Sequence, residues 1–281
     1  PSFSTYRRSG SGSAHPTTQG VSLRGTGTSA ASRSIVLLDG IPLNDPFGGW
    51  VRWNRFSPAE LEAVRFKQPS AFASSAGTIT LWSRRPTDKP IHHLRLTGGD
   101  VHGLSVDGFT ATTTSEEDWE ATVGFRVEDF AGHPVVRASQ REPIDEDAWS
   151  RMRAARTSVS RQLPFGRLTA SLAGFDERRG NGTPLARNEG DGFDWSLGVE
   201  SEGSKTIIFG QERNFASVFQ SRATEAIVLD QFSVPVWSEL LGLEYPKAGW
   251  VRVCRGGFEV GVAQDSPRRE GLHSTSTLLW D

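Results

Sequence analysis

A glycine-rich stretch, Gly25-Thr26-Gly27-Thr28-Ser29-Ala30, is the first place in the sequence where the pattern matches known chemistry. It fits the G-x-G-x-x-A fingerprint of dinucleotide-binding proteins, in which a following helix N-terminus holds the phosphates. That mechanism requires a helix directly after the glycines. The apolar run Ile35–Leu38, typical of a buried strand, follows after only a few residues. The stretch is therefore interpreted as a loop, not as a nucleotide site.

Candidate metal ligands and catalytic groups lack the arrangement that their chemistry needs. His92 and His93 are adjacent, so on a strand their side chains point to opposite faces and do not chelate one ion together, even with His102 nearby. The acidic runs 116–118 and 145–147 are interpreted as solvated loop residues. The sequence contains no G-x-S-x-G and no H-E-x-x-H motif. We expect no catalytic residue, no metal site and no cofactor.

A cluster of aromatic, basic and polar residues follows the turn expected at Asp39-Gly40. Its members are Asn44, Asp45, Phe47, Trp50, Arg52, Trp53 and Arg55. Aromatic rings suit a bulky ligand, and guanidinium groups attract an anionic one. The rings equally suit packing against a neighbouring wall of the protein, and the sequence leaves both interpretations open.

Composition restricts the class of protein. The chain has 281 residues, a net charge of -2 and a single cysteine, Cys254. Its length suffices for one large domain or two ordinary ones. The longest aliphatic run is far shorter than the roughly 20 residues of a membrane helix. One cysteine excludes an internal disulfide framework, and near-neutral charge argues against a nucleic-acid-binding protein.

Short apolar segments separated by turn-rich loops make up the chain as far as residue 86. Ser57, Pro58 and Glu60 form a capping box with proline at the first helical position, which predicts the start of a short helix. A small α+β domain over residues 21–86 is expected, after a flexible polar segment, 1–20. Its expected strands are 21–24, 35–38, 63–66 and 78–82.

Long alternating segments follow Pro86 and predict about ten strands of roughly ten residues each. Period-two alternation indicates an antiparallel sheet with one apolar and one polar face. The apolar face is expected to carry Trp119, Val123, Phe125, Leu197 and Val199, and the polar face Glu120, Arg126 and Glu200.

The connections between these strands are of two kinds. Tight turns are expected at 163–167, 201–204 and 246–249, and long polar connections at 131–149, 177–192 and 212–227. Long connections on one side and tight turns on the other are typical of an outer-membrane β-barrel. A soluble sandwich also alternates, so the pattern alone leaves both architectures open.

Several motifs occur in a fixed order near the N-terminus. Val21-Ser22-Leu23-Arg24-Gly25 precedes Ile35-Val36-Leu37-Leu38-Asp39-Gly40-Ile41-Pro42-Leu43, and the predicted helix start and a strand at 77–81 follow. Over about residues 15–86 this order resembles the plug domain of TonB-dependent outer-membrane receptors. The segment 175–184 looks like an extracellular loop of such a receptor.

The resemblance implies an α+β plug domain, 21–86, followed by an incomplete antiparallel transmembrane β-barrel, 87–281. It implies a receptor in the outer membrane of a Gram-negative bacterium that binds a ferric siderophore or a cobalamin-like chelate. Import to the periplasm would use energy from TonB, and the chain would contact outer-membrane lipid but no nucleic acid. The chain is expected to be a fragment whose TonB box and remaining strands lie outside it.

The resemblance also assigns residues. The aromatic and basic cluster after Asp39-Gly40 would bind the ligand, with residues 44–53 at the same end as the long connections. In the family, two plug arginines pair with barrel glutamates. Arg24 matches the first, whereas the stretch 66–76 departs from the family pattern and leaves Lys67 or Gln68 at the second. The alternative hypothesis is a soluble β-rich ligand-binding module, which would bury its apolar strand faces between two sheets.

Overall fold

The computed structural model describes residues 4–5, 21–23, 34–45, 49–67, 77–87, 89–99, 103–114, 119–202, 204–233, 236–245, 249–264 and 266–280. At residues 4, 5 and 22 and beyond residue 230 the description concerns the backbone alone. Two sheets, one small and one large, account for most of the described chain, and β1 Ser4–Thr5 pairs separately with β2 Val21–Ser22.

A four-stranded sheet is the centre of the N-terminal unit, which comprises residues 21–23, 34–45, 49–67 and 77–87. The strands are β3 Ile35–Leu38, β4 Ile41–Pro42, β5 Leu61–Lys67 and β6 Thr78–Ser83, in the order β4-β3-β6-β5. β3 and β6 run parallel, whereas the other pairs are antiparallel. The predicted central position of β3 is confirmed, and its aliphatic sequence follows from burial on both faces.

The apolar core of this unit lies beside β3 and β6. Its buried members are Val21, Leu23, Val36, Leu38, Leu43, Val51, Phe56, Ile79 and Leu81, with Trp53 and Leu61 partly buried against them. Each such side chain contributes about 1.5–3 kcal/mol when it is fully buried. The core therefore holds the segment 49–56 against the small sheet.

The predicted helix start is a single 3-10 turn, Pro58–Glu60. The capping box itself is present, because the Ser57 hydroxyl accepts from the N–H of Ala59 at 3.2 Å and the Glu60 carboxylate accepts from the N–H of Ser57 at 3.0 Å. No longer helix forms, since Leu61 already begins β5. A second 3-10 turn, Trp53–Arg55, precedes it.

The large sheet contains eleven antiparallel strands within the described residues. They are β7 Ile91–Gly99, β8 Gly103–Thr114, β9 Trp119–Pro134, β10 Asp147–Leu163, β11 Gly166–Gly180, β12 Arg187–Ser201, β13 Ser204–Gln220, β14 Ile227–Ser233, β15 Val236–Tyr245, β16 Gly249–Gln264 and β17 Ser266–Trp280. β7 to β13 pair in chain order, and β13 pairs with both β14 and β15. Because β14 and β15 share one strand position, the strand number agrees with the sequence-based expectation.

The long connections are shorter than the sequence predicted. They span 135–146, 181–186 and 221–226, because strands of 15 to 17 residues take up the rest of the predicted loops. Many of the polar residues that were predicted to lie in loops are in fact the ends of these strands, whose inward-facing side chains are polar. The tight turn between β10 and β11 is confirmed at 164–165, whereas most of the turn predicted at 246–249 lies outside the described residues.

The two faces of the large sheet differ as predicted. Val123 is 45% exposed, Phe125 38% and Leu197 45% on the outer face, so none of them is buried under a second sheet. The inner face carries Glu120 and Glu200, and the N-terminal unit lies against it.

Candidate functional site: the contact between the two sheets

The segment 44–56 carries most of the residues that the sequence predicted as a site. Asn44 fixes its beginning: the side-chain oxygen accepts from the N–H of Val36 at 2.7 Å. Its amide donates to the carbonyl oxygens of Ser34 at 3.2 Å and Gly49 at 3.1 Å. A polar side chain with three backbone partners sets the local fold, so Asn44 positions the residues that follow.

Arg52 and Asn54 reach the inner face of the large sheet at Glu177 on β11. Arg52 Nε lies 3.4 Å from Glu177 Oε2, and the Asn54 amide donates to Oε1 at 3.0 Å. Within its own segment Arg52 also lies 3.3 Å from the carboxylate of Asp45. Arg179, two residues further along β11, pairs with the same glutamate. Glu177 therefore joins cations from both parts of the molecule.

Arg55 and Arg213 share one carboxylate, that of Asp194 on β12. Each guanidinium group donates to a different carboxylate oxygen. The Phe175 ring lies among the cations, with the guanidinium carbons of Arg55, Arg52 and Arg213 at 4.5, 4.9 and 5.3 Å from its centroid. These distances are within the range of cation–π attraction.

Together these residues form the arginine contact: Asp45, Arg52, Asn54, Arg55, Phe175, Glu177, Arg179, Asp194 and Arg213. Its four guanidinium groups are at most 5% exposed, and its three carboxylates at most 16%. Burying charges is costly, and mutual attraction offsets the cost only when every group is paired. Removing one partner of such a pair costs about 3–5 kcal/mol. The arginine contact therefore fixes how the N-terminal unit sits on the large sheet.

A second polar contact lies between the capped 3-10 turn and β8. The Ser57 hydroxyl donates to the carboxylate of Asp107, and Arg95 Nε donates to the other oxygen at 2.9 Å. Asp107 also has Arg126 at 3.8 Å. Ser57 therefore both caps the 3-10 turn and connects it to β8 of the large sheet.

Glu60 lies beside this contact, buried against β9. A Cβ atom added at Gly124 would come within 2.4 Å of Glu60 Cδ, so the glycine provides the space that the carboxyl group occupies. Burial raises the pKa of Glu60, although the hydrogen bond from the Ser57 N–H and nearby Arg156 lower it.

The structure places the predicted site residues in these contacts. Trp50 is 5% exposed, and its ring centroid lies 5.4 Å from that of Phe215 on β13. Trp53 packs on the apolar core of the N-terminal unit. Asp45, Arg52 and Arg55 belong to the arginine contact. Ligand binding by Asn44, Asp45, Trp50, Arg52, Trp53 and Arg55 stays a prediction, and Phe47 and Arg24 lie outside the described residues.

The end of the sheet to which this segment extends agrees with the prediction. Asp39 is near the tight-turn end, where its carbonyl oxygen accepts from Lys205 at 3.0 Å. Trp50 contacts Phe215, ten residues further along β13 and closer to the connection 221–226. From Asp39 to Trp50 the N-terminal unit therefore extends along β13 toward the end of the sheet that has the longer connections.

The sequence analysis did not identify the residues that the large sheet contributes to the two contacts. Asp107, Glu177, Asp194 and Arg213 were assigned no role, and the segment 175–184 was compared to an extracellular loop. Residues 175–180 in fact belong to β11. The signal that identifies such residues is a carboxylate at an inward position of an alternating strand.

Metal-ligating residues are not grouped in the described part of the chain. There, no set of three or more His, Cys, Asp or Glu residues is placed to hold an ion. His92 pairs with Thr110 at 2.8 Å, whereas His93 faces Asp107 at 4.0 Å, so the two rings lie on opposite faces as predicted. No helix among the described residues is both long enough and apolar enough to span a membrane.

This arrangement, a small sheet-based unit against the polar face of a long-stranded antiparallel sheet, is similar in fold to about half of each of several siderophore receptors. The resemblance to TonB-dependent outer-membrane receptors is thereby confirmed at the level of the fold. Neither the scan of protein-family models nor the search of curated proteins gave a match.

Three solved structures illustrate the similarity. The siderophore receptor PirA from Acinetobacter baumannii is 12% identical with a TM-score of 0.61, over 93% of this chain and 44% of that one. A variant of the ferric enterobactin receptor PfeA from Pseudomonas aeruginosa is 12% identical at 0.61, over 99% and 50%. The ferric yersiniabactin uptake receptor FyuA from Yersinia pestis is 10% identical at 0.59, over 99% and 56%. These are transport receptors, not enzymes, and the chain spans about half their length.

Proposed function

We propose that this chain is part of an outer-membrane receptor that binds a scarce ferric chelate outside the cell and imports it to the periplasm. In this proposal residues 21–86 are the plug domain, 1–20 its flexible polar beginning, and 87–281 part of the β-barrel. Energy would come from TonB, through a segment outside this chain. The transported solute would be a ferric siderophore, with a cobalamin-like chelate as the second candidate.

The observation that carries the proposal is the contrast between the two faces of one sheet. The inner face meets a folded unit through buried charges, whereas the outer face presents apolar side chains to the surroundings. Cross-strand pairs on the outer face include Phe125 with Ala155, Leu172 with Trp195 and Leu197 with Ile208. A continuous apolar surface of this kind is rare on soluble monomers and typical of a lipid-facing band.

The ends of the apolar band support a membrane location. Toward the longer connections it gives way to charged residues, such as Arg151, whose Nε lies 3.4 Å from Asp129. Toward the tight turns the guanidinium group of Arg161 lies 5.1 Å from the Trp119 ring centroid. Tryptophan and long basic side chains favour the interface between lipid and water. A soluble sandwich would instead cover this face with a second sheet.

We further propose that the arginine contact holds the plug in the barrel. The sequence assigned this role to Arg24, whereas Arg52 and Arg55 contact the carboxylates of Glu177 and Asp194. Because these cations and Trp50 are buried against the wall, packing is the better-supported role for them. Trp53 packs on the apolar core of the N-terminal unit, so the same role is better supported for it, and Phe47 remains the ligand-binding candidate of this segment.

Fractionation and ligand binding test the proposal together. The full-length protein would be expressed in a Gram-negative host, and outer membranes would be separated from the soluble fraction. Ferric enterobactin, ferric yersiniabactin and cyanocobalamin would serve as probes in equilibrium binding to those membranes. We expect the protein in the outer membrane and saturable binding of at least one ferric siderophore. A soluble protein that binds none of the three would contradict the proposal and favour the soluble module.

The candidate ligand residue is tested in the same assay. Phe47→Ala should weaken chelate binding and leave membrane insertion intact, whereas Trp50→Ala should leave the affinity of the inserted protein unchanged. The opposite pattern would return Trp50 to the ligand site and remove Phe47 from it.

A further inference from the structure

The longer connections of the large sheet lie at the same end of it, and we refer to them together as the rim: 135–146, 181–186 and 221–226. The middle connection is the most buried of them. Thr183 and Ala186 are each 7% exposed, and Gly182 is buried as well. Because surface connections are ordinarily exposed, this burial shows that other parts of the chain cover the middle connection.

The connection 135–146 contacts the middle connection at two points. The N–H of Glu146 donates to the carbonyl oxygen of Gly182 at 2.9 Å. A Cβ atom added at Gly182, where φ is +93°, would lie 2.5 Å from Cγ2 of Val135. The glycine therefore permits the left-handed backbone and also leaves the space that Val135 occupies.

Gln220, the last residue of β13, joins the middle connection to 221–226. Its side-chain oxygen accepts from the N–H of Leu185 at 3.0 Å, and its side-chain amide donates to the carbonyl oxygen of Glu225 at 2.9 Å. Both polar ends of one amide group are used. Displacing either connection therefore breaks a hydrogen bond.

Arg222 completes the set of contacts by reaching the connection 135–146 directly. Its Nε donates to Oδ1 of Asp145 at 2.7 Å, and its Nη2 donates to Oδ2 at 2.5 Å. The same Nη2 donates to the carbonyl oxygen of Gln140 at 3.0 Å, and the N–H of Glu142 donates to the Asp145 carboxylate at 2.9 Å. The Asp145 side chain is 3% exposed as a result.

The pair of Arg222 and Asp145 differs from an ordinary surface ion pair. Isolated exposed pairs contribute little stability, whereas a bidentate arginine–carboxylate pair within a hydrogen-bonded network is stronger. The hydrogen bonds from Arg222 and from the N–H of Glu142 lower the pKa of Asp145. The carboxylate therefore keeps its charge, and the pair its attraction, at mildly acidic pH.

We infer that the rim is one interlocked unit, held together by Arg222, and that it keeps this shape when a ligand binds. β11 and β12 lie between the strands that Arg222 and Asp145 adjoin, so their contact bridges the full width of the rim. The inference rests on the proposed function and deepens it, since the rim would face a chelate arriving from outside the cell. Connections that are ordered before binding lose little conformational entropy when the ligand docks.

Hydrogen exchange of the full-length protein in detergent tests the interlock. Arg222→Gln removes the charge, and Arg137→Gln is the matched control because Arg137 is exposed and has no ion-pair partner among the described residues. The polar partners of Arg222 in the described part of the chain lie within 140–145. We expect Arg222→Gln nevertheless to speed exchange of the Leu185 amide at least about fivefold, and Arg137→Gln to leave it unchanged. A change confined to 140–145, or no change, would overturn the interlock.

A covalent link tests whether the rim stays closed during binding. Asp145→Cys and Arg222→Cys would be combined in the full-length protein in outer membranes, with Cys254 and any other native cysteine replaced by Ser. A short bis-maleimide would join the two thiols, and N-ethylmaleimide on both thiols, which adds bulk without the link, is the control. Ferric enterobactin and ferric yersiniabactin are the probes.

The linked protein should bind its chelate with a Kd no more than about threefold weaker than that of the control. A larger loss would show that the connections must separate for binding and would overturn the inference. Absence of chelate binding by the unmodified protein would instead contradict the proposed function. The exchange experiment needs no ligand and would still test the interlock in that case.

Discussion

The N-terminal unit meets the same inner wall in two chemically different ways. At the arginine contact long charged side chains fill the interface, and Arg55 and Asp194 are 5% and 16% exposed. Near the tight turns the contact is open to solvent: Arg85 pairs with Glu200 at 2.8 Å, and the two side chains are 54% and 45% exposed. Buried ion pairs cost several kcal/mol to break, whereas exposed pairs contribute about 0–1 kcal/mol. The comparison predicts that the arginine contact costs several kcal/mol to separate, whereas the contact near the tight turns separates at little cost in free energy.

The largest effect is expected from removing the carboxylate shared by two arginines. Asp194→Ala leaves Arg55 and Arg213 buried without their partner and should destabilise the folded protein by about 3–5 kcal/mol. Equilibrium denaturation in detergent measures the change. Asp176→Ala, on the neighbouring strand but 55% exposed on the outer face, is the control and should change stability little. Equal effects of both variants would remove the distinction between the two faces.

A smaller effect is expected where a glycine makes room for a carboxyl group. Gly124→Ala places a methyl group within 2.4 Å of Glu60 Cδ and should cost about 1–3 kcal/mol. Gly174→Ala is the control, because the nearest atom to its added Cβ is a backbone oxygen at 3.6 Å. Combining Gly124→Ala with Glu60→Ala should recover part of the loss, as a double-mutant cycle would show. Strict additivity of the two changes would contradict the proposed close approach.

Glu60 also predicts how stability depends on pH. Its pKa is raised on folding, so the folded state holds the proton more tightly than the unfolded state does. The stabilisation is fully present below the unfolded value and is lost as pH rises through the raised value. The wild-type protein should therefore lose thermal stability relative to Glu60→Gln as pH rises from about 4 upward. A difference in Tm between the two proteins that stays constant or changes in the opposite direction would show that Glu60 is not protonated preferentially in the folded state.

The smallest effect is expected at the exposed pair of Arg85 and Glu200 near the tight turns. Arg85→Gln removes an exposed ion pair and should change stability by no more than about 1 kcal/mol, with a smaller change at high salt. Arg55→Gln, the matched substitution at the arginine contact, should cost several times more. Similar losses from the two variants in the same denaturation experiment would mean that both halves of the contact are equally firm.

Local patterns in the sequence predicted much of this fold. The aliphatic run Ile35–Leu38, the capping box at Ser57 and the alternation along β9 each depend on neighbours in the chain, and each is present in the structure. The arginine contact depends on partners more than a hundred residues apart, such as Asn54 and Glu177. A charged residue that is buried by such a partner has the same sequence signature as one in a solvated loop. For this reason residues 177–180 were predicted as a loop although they are part of a strand.

Cross-linking across the arginine contact tests the central claim most directly, namely that the segment around Arg55 lies against the inner face of the large sheet. In the full-length protein in outer membranes, with Cys254 and any other native cysteine replaced by Ser, Arg55→Cys would be combined with Asp194→Cys. Arg55→Cys with Asp176→Cys, which faces outward on the adjacent strand, is the control pair. A short bis-maleimide should join the first pair and not the second, detected as a mass gain of one bridged linker. Cross-linking of neither pair, or of the outward pair alone, would contradict the account.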